Sequence, residues 1–215
     1  MWMFIAALTG QPALAADASQ PHPHQGVLSK FSGKPTVPAL TAEDLATLRA
    51  GDPVLKQERG SGQGRGIAVQ DVHADAKTIW SRILKFDRYP DWVENVKTCE
   101  KYEESGSTVK THFVIGAALF SAEYWVVHDA HPADNWMTWQ LDYSRTNDLD
   151  DSVGFWYVQE LPDKPGWSRL FYSVDVKVGG WVPGFVENMV AKSGLTKATA
   201  WVKRESEKAA GTTEP

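Results

Sequence analysis

A chain of 215 residues, 42% of them hydrophobic, is long enough for one well-buried domain with short extensions. The net charge of −5 and isoelectric point near 5.7 argue against nucleic acid, and no basic run is longer than Lys203-Arg204. A single cysteine, Cys99, excludes an intrachain disulfide and any CxxC metal motif, so a buried, inert thiol is expected there.

Residues 1–16 form an apolar run ending in Ala13-Leu14-Ala15-Ala16, the outline of a secretory signal, although no Lys or Arg precedes Lys30. The run is too short to span a bilayer. Secretion or periplasmic export is therefore expected, with the cytoplasm as the alternative. Residues 17–38 are rich in Pro, Ser, Gln and Gly and read as a flexible linker. Within them His22 and His24 could touch a metal, but neither a carboxylate nor a third histidine accompanies them in their Pro-His-Pro-His run, and no metal site is expected. Residues 39–63 read as a helical extension, in which Thr41 caps a short helix carrying Leu45 and Leu48 and Gly51-Asp52-Pro53 stops it. The run from Gly60 to Gly66 has glycine at every second position and leads into a strand pattern, so it is not a phosphate loop.

Ile67 to Val72 is the first strand. A helix with Ile79, Trp80, Ile83 and Leu84 follows, then a shorter one from Asp87 through Trp92 and Val93. Six strand patterns come next: 96–104, 109–117, 120–128, 136–145, 153–161 and 168–178, each bounded by turn chemistry. About seven strands with hairpin-length links imply a curved antiparallel sheet. The asparagine and aspartates at 147–151 read as a solvated turn, since EF-hand spacing is lacking. From Trp181 to Lys208 a long amphipathic helix is predicted, with Pro183 in its first turn, Val182, Phe185, Val186, Met189 and Val190 at helical spacing, and Leu195, Ala198, Trp201 and Val202 continuing the stripe. Its apolar side needs a partner, and the sheet is the one available. Residues 209–215 are expected to be a disordered tail.

The element order, together with Val69-Gln70-Asp71-Val72-His73-Ala74, Ile79-Trp80, Phe86-Asp87-Arg88-Tyr89-Pro90 and Trp181-Val182-Pro183-Gly184-Phe185, resembles the START-like superfamily. Within it the chain is most similar to the polyketide cyclase/dehydrase and lipid-transport group, with the coenzyme-Q-binding branch as a relative. The resemblance spans residues 64–208 and implies an α+β helix-grip fold, a sheet wrapped around the long C-terminal helix. It also implies a monomer that binds or carries a lipid, sterol, quinone or polyketide-like molecule, needs no cofactor, and makes transient membrane contact at most. Some members are cyclases and some bind proteins, so those alternatives stay open, and no shared catalytic residue is carried over.

Two strands show clear alternation. Met137, Trp139, Leu141 and Tyr143 share one face with Arg145 at its end, and Leu170, Tyr172, Val174, Val176 and Val178 share another. The candidate ligand-binding residues are Met137, Trp139, Leu141, Tyr143, Arg145, Tyr172 and Val174, with Phe185 and Met189 from the helix. An inward Arg145 would select an acidic or carbonyl head group, and an outward one would be an ordinary strand-end arginine. No catalytic residue is assigned. Under the cyclase alternative, His112, Tyr143 or Arg145 would do acid–base work on a carbonyl. The alternation does not decide which way His112 and His128 point.

Overall fold

The computed structural model describes residues 15–58, 65–117, 120–178 and 192–212. The chain order is α1 (Ala42–Arg49), β1 (Val54–Glu58), β2 (Arg65–Val72), α2 (Ala76–Ile83), a 3-10 turn (Phe86–Arg88), α3 (Tyr89–Trp92), β3 (Val96–Ser105), β4 (Thr108–Ala117), β5 (Phe120–His131), β6 (Trp136–Leu141), β7 (Asp151–Glu160), β8 (Ser168–Lys177) and α4 (Lys192–Ala210). The eight strands form one antiparallel sheet in the order β1-β2-β8-β7-β6-β5-β4-β3. Strands β3 to β8 are a meander, and β2 closes it by pairing with the last strand. This is the helix-grip architecture, with α4 packed on β2 and α2.

Local chemistry sets most of the element ends. Thr41 and Asp44 cap α1 reciprocally, each side chain accepting the other's backbone N–H. Asp75 caps α2 by accepting from Thr78 N. The apolar face of α2, Ile79, Trp80 and Ile83, is buried in the main core together with Val72, Phe86, Tyr89, Trp201 and Val202. At Gly66 the helix comes so close to β2 that a Cβ would stand 2.7 Å from a Leu195 methyl, which explains the absence of a side chain there. The edge strand β3 is richly charged and carries two register shifts, both of which discourage a second chain from pairing with it.

The strand total is one more than expected. The extra strand is β1, which lies in the stretch read as a helical extension; its Val-Leu-Lys-Gln-Glu sequence has little strand pattern, and pairing with β2 holds it in place. Strand β5 continues through His131, whereas β6 stops at Leu141 instead of reaching Arg145.

The expected linker at 17–38 is instead an arm clamped to the outside of the sheet. Asp17 bridges to Thr146, His22 N–H donates to Tyr143 O, and Leu28 is buried. Phe31, Val37, Leu40 and Leu48 cover Ile67, Val69, Phe155 and Phe171, so β2, β7 and β8 are covered on both faces. The aspartates expected in a solvated turn are the clamp. Asp151, fully buried, accepts Val27 N–H at 2.6 Å, Leu28 N–H at 2.7 Å and the Tyr143 hydroxyl at 2.7 Å. Asp148 accepts from Ala16 N and Glu123 N. Alternating polarity in the sequence could not reveal this, because the arm's donors are mainly backbone N–H groups that every residue type carries. At the other end the tail expectation also fails as far as residue 212, since α4 runs to Ala210 and the Thr212 hydroxyl donates to His73 O.

Candidate functional site

Between the concave face of the sheet, the α3–β3 segment and α4 lies a cavity of about 590 Å³. Period-two alternation supplies its walls. From the central strands it takes Phe113 and Ile115 of β4, Tyr124, Val126 and His128 of β5, Met137 and Trp139 of β6, Trp156 of β7, and Tyr172 and Val174 of β8. Phe86, Tyr89, Trp92 and Trp201 come from the helical side.

The wall is largely aromatic and its rings contact one another. Trp139 stacks on Tyr172 at 5.7 Å between centroids, Tyr172 meets Trp156 at 4.4 Å, and Phe113 stacks on Tyr124 at 5.3 Å. Tyr89 meets Trp201 edge-on at 4.9 Å. Rings that brace one another keep a concave apolar surface open, because collapse would give up these packed contacts. The Tyr89 hydroxyl is satisfied by Ile83 O at 2.6 Å. The hydroxyls of Tyr124 and Tyr172 have no protein partner among the described residues. Burial pushes both hydroxyls up, so they stay protonated at any physiological pH.

His128 is one of the two histidines whose direction the alternation did not decide. Its ring lies in the cavity wall, 5.0 Å from that of Phe86, with Nε2 2.9 Å from the Thr111 hydroxyl, while Nδ1 is buried without a partner among the described residues. Burial pushes its pKa down to about 3, so it is neutral. The inward alternation of Tyr124, Val126 and Ala130 is the signal that could have placed it.

At the margin of the cavity, Lys197 pairs with Glu94 at 2.6 Å and Arg204 donates to Trp92 O at 2.9 Å, tying α4 to the α3–β3 segment.

Of the residues singled out from the sequence, Met137, Trp139, Tyr172 and Val174 line this cavity. Leu141 does not; it is fully buried in the adjacent core with Val176 and Leu195. Tyr143 and Arg145 fall outside as well, because β6 ends at Leu141 and period-two alternation ends with it. Tyr143 points at Asp151, and Arg145 lies over the Tyr102 ring at 4.5 Å, with Trp125 at 5.6 Å. Phe185 and Met189 lie outside the described residues. His112 points away from the cavity, stacked on Trp125 and bonded to Glu123 at 2.7 Å, so none of the three residues considered for acid–base work lines it. Cys99 is buried, and burial pushes its thiol up, as an inert side chain requires.

The arm brings His22 and His24 next to Asp150, a carboxylate 126 residues from His24 in the chain. The protons decide what the trio can do. His24 Nδ1 accepts Gly26 N–H at 3.0 Å, so Nε2 carries the proton and donates to Asp150 Oδ1 at 3.2 Å. His22 Nε2 lies 2.8 Å from the Asp150 carbonyl, an acceptor only, and must also be protonated. A metal on Nε2 would drive each proton to Nδ1, against a backbone N–H. The trio is a hydrogen-bonded latch for the arm, reinforced by Lys177 on Asp150 at 3.2 Å.

A curved antiparallel sheet gripping one helix over an aromatic cavity defines a domain that holds a hydrophobic small molecule. The family model for polyketide cyclase / dehydrase and lipid transport matches residues 72–200, and the chain belongs to that family. Similar solved structures include the Zhui aromatase/cyclase from Streptomyces sp. R1128, at 16% identity and a TM-score of 0.58, covering 69% of this chain and 98% of that one. A START superfamily protein from Mycobacterium smegmatis matches at 21% identity and a TM-score of 0.55, covering 67% and 98%. A fragment of the STAR-related lipid transfer protein from Xanthomonas axonopodis matches at 12% identity and 0.58, covering 84% and 97%. At these identities the likeness establishes the fold. No curated protein matches the chain.

Proposed function

We propose that this protein binds and carries a hydrophobic small molecule of the lipid, sterol, quinone or polyketide-like kind, holding it in the cavity between sheet and α4. The observation that carries this reading is the cavity of about 590 Å³ walled by mutually braced aromatic rings. Its titratable groups support carriage over turnover. A histidine pushed down to about 3 is a weak base, and tyrosines pushed up by burial are poor acids and poorer nucleophiles. Export from the cytoplasm, suggested by the apolar run before Ala15, and brief membrane contact for loading belong to the same reading.

Native mass spectrometry of the purified protein, followed by organic extraction, tests it. A stoichiometric adduct of a few hundred daltons that moves to the organic phase is the expected result. A bare mass, combined with no uptake of an apolar fluorophore, would reject carriage in favour of a protein-binding module.

A further inference from the structure

We infer that the ligand is an uncharged ring compound bearing a ketone or hydroxyl oxygen, and that Tyr124 and Tyr172 are the residues that recognise this oxygen. The inference rests on the carrier reading and narrows it to one chemical class. Both tyrosines line the cavity, and neither hydroxyl has a hydrogen-bond partner among the described residues. A hydroxyl that faces the cavity can donate to a ligand oxygen within reach, a hydrogen bond that the described residues do not supply. The Trp139–Tyr172 stack, tilted by 25°, offers a flat face against which a planar or fused ring lies better than a flexible chain.

Among the described residues, the charges disfavour an acidic head inside the cavity. Lys197 and Arg204 are the cations that line the cavity among the described residues, and both stand at its margin with partners: Glu94 for Lys197, and Trp92 O and Glu205 for Arg204. The polar groups of the lining other than those at the margin include two protonated tyrosines, a neutral His128 and the uncharged Ser152. A carboxylate brought there would lose its hydration and, among the described residues, find no counter-charge deep in the cavity.

Three probes of one ring skeleton separate the possibilities: 9-phenanthrol, phenanthrene and phenanthrene-9-carboxylate, titrated into the full chain at pH 7.5 by fluorescence. The wild type is expected to bind phenanthrol at least tenfold more tightly than the carboxylate. Tyr124→Phe and Tyr172→Phe, which remove one oxygen each and leave the fold intact, should weaken phenanthrol by about three- to tenfold, the range of a single neutral hydrogen bond, and leave phenanthrene within twofold. Equal losses for both probes, no loss for phenanthrol in either variant, or tightest binding of the carboxylate would overturn the inference while leaving a carrier in place. Failure of all three probes to bind while an apolar fluorophore is still taken up would overturn the inference alone, and failure of the fluorophore as well would reject the carrier reading with it.

Discussion

The indole of Trp139 lies directly on Gly154 of the neighbouring strand. A Cβ built on that glycine would stand 2.1 Å from Trp139 Cζ2 and 2.3 Å from Ser173 O. The missing side chain on β7 thus sets how deep a cavity-lining tryptophan on β6 can sit. Gly154→Ala must push the indole into the cavity or spread two strands. We expect it to lower stability by about 1–3 kcal/mol, the usual range for overpacking, and to weaken uptake of an apolar fluorophore by at least fivefold. Denaturant melts and fluorophore titration of the folded protein check both. Unchanged uptake would mean that the indole has room to move elsewhere.

Acid should loosen the fold through two buried histidines. His128 is pushed down to about 3 by burial, and burial is also the main cause that lowers His22. In the unfolded chain both titrate near 6.5. Below that pH the unfolded state binds protons that the folded state refuses, so their stabilisation is present above about pH 6.5 and is lost as pH falls toward 3. For His128 alone the loss by pH 4 is on the order of 3 kcal/mol. Urea midpoints measured from pH 7.5 to pH 4 should fall steadily, and His128→Gln should flatten the slope. A slope that His128→Gln leaves unchanged would show that the carboxylates dominate.

Asp151 should matter more than any other acid. It is fully buried and accepts from Val27 N, Leu28 N, Ser152 N and the Tyr143 hydroxyl. Asp151→Ala leaves these donors without a partner, at about 1–3 kcal/mol for the first and more in sum. Loss of several degrees in Tm and new protease cuts within residues 17–38 are the expected outcome, read by calorimetry and mass mapping. An arm that stays resistant to protease would mean that the apolar contacts of Phe31, Val37 and Leu40 hold it alone.

Arg145 should be silent in binding. Its guanidinium sits over Tyr102 and Trp125, with Asp142 4.0 Å away, outside the cavity. Arg145→Ala is expected to change the affinity for a fatty acid and for its hydrocarbon analogue by less than threefold, the range of weak surface interactions of about 0–1 kcal/mol. Titration of the two ligands checks this, and a selective loss for the acid would return Arg145 to the site.

The sequence by itself determined the architecture, because the evidence for it is repetitive. Strand runs rich in Val, Tyr, Trp and Phe, turn residues at regular intervals and one long apolar stripe each register over many positions, so a misread residue changes little. Met137, Trp139, Tyr172 and Val174 were legible as wall residues for the same reason, since each sits inside a strand where alternation holds. Alternation failed at Tyr143 and Arg145, where the strand had already ended, and pairing with a neighbour decides where a strand ends.

The tertiary structure alone decided the rest. The arm at 17–38 has the composition of a linker. It is held by backbone N–H groups reaching Asp148 and Asp151 more than 100 residues away, contacts that leave no period in the sequence. The inward turn of His128, and the lack of a partner among the described residues for the hydroxyls of Tyr124 and Tyr172, likewise depend on which strands face the helix and how far apart they stand. Residue type announces a hydrogen-bonding group, but whether a ligand must satisfy it is settled by the packing of distant elements around it.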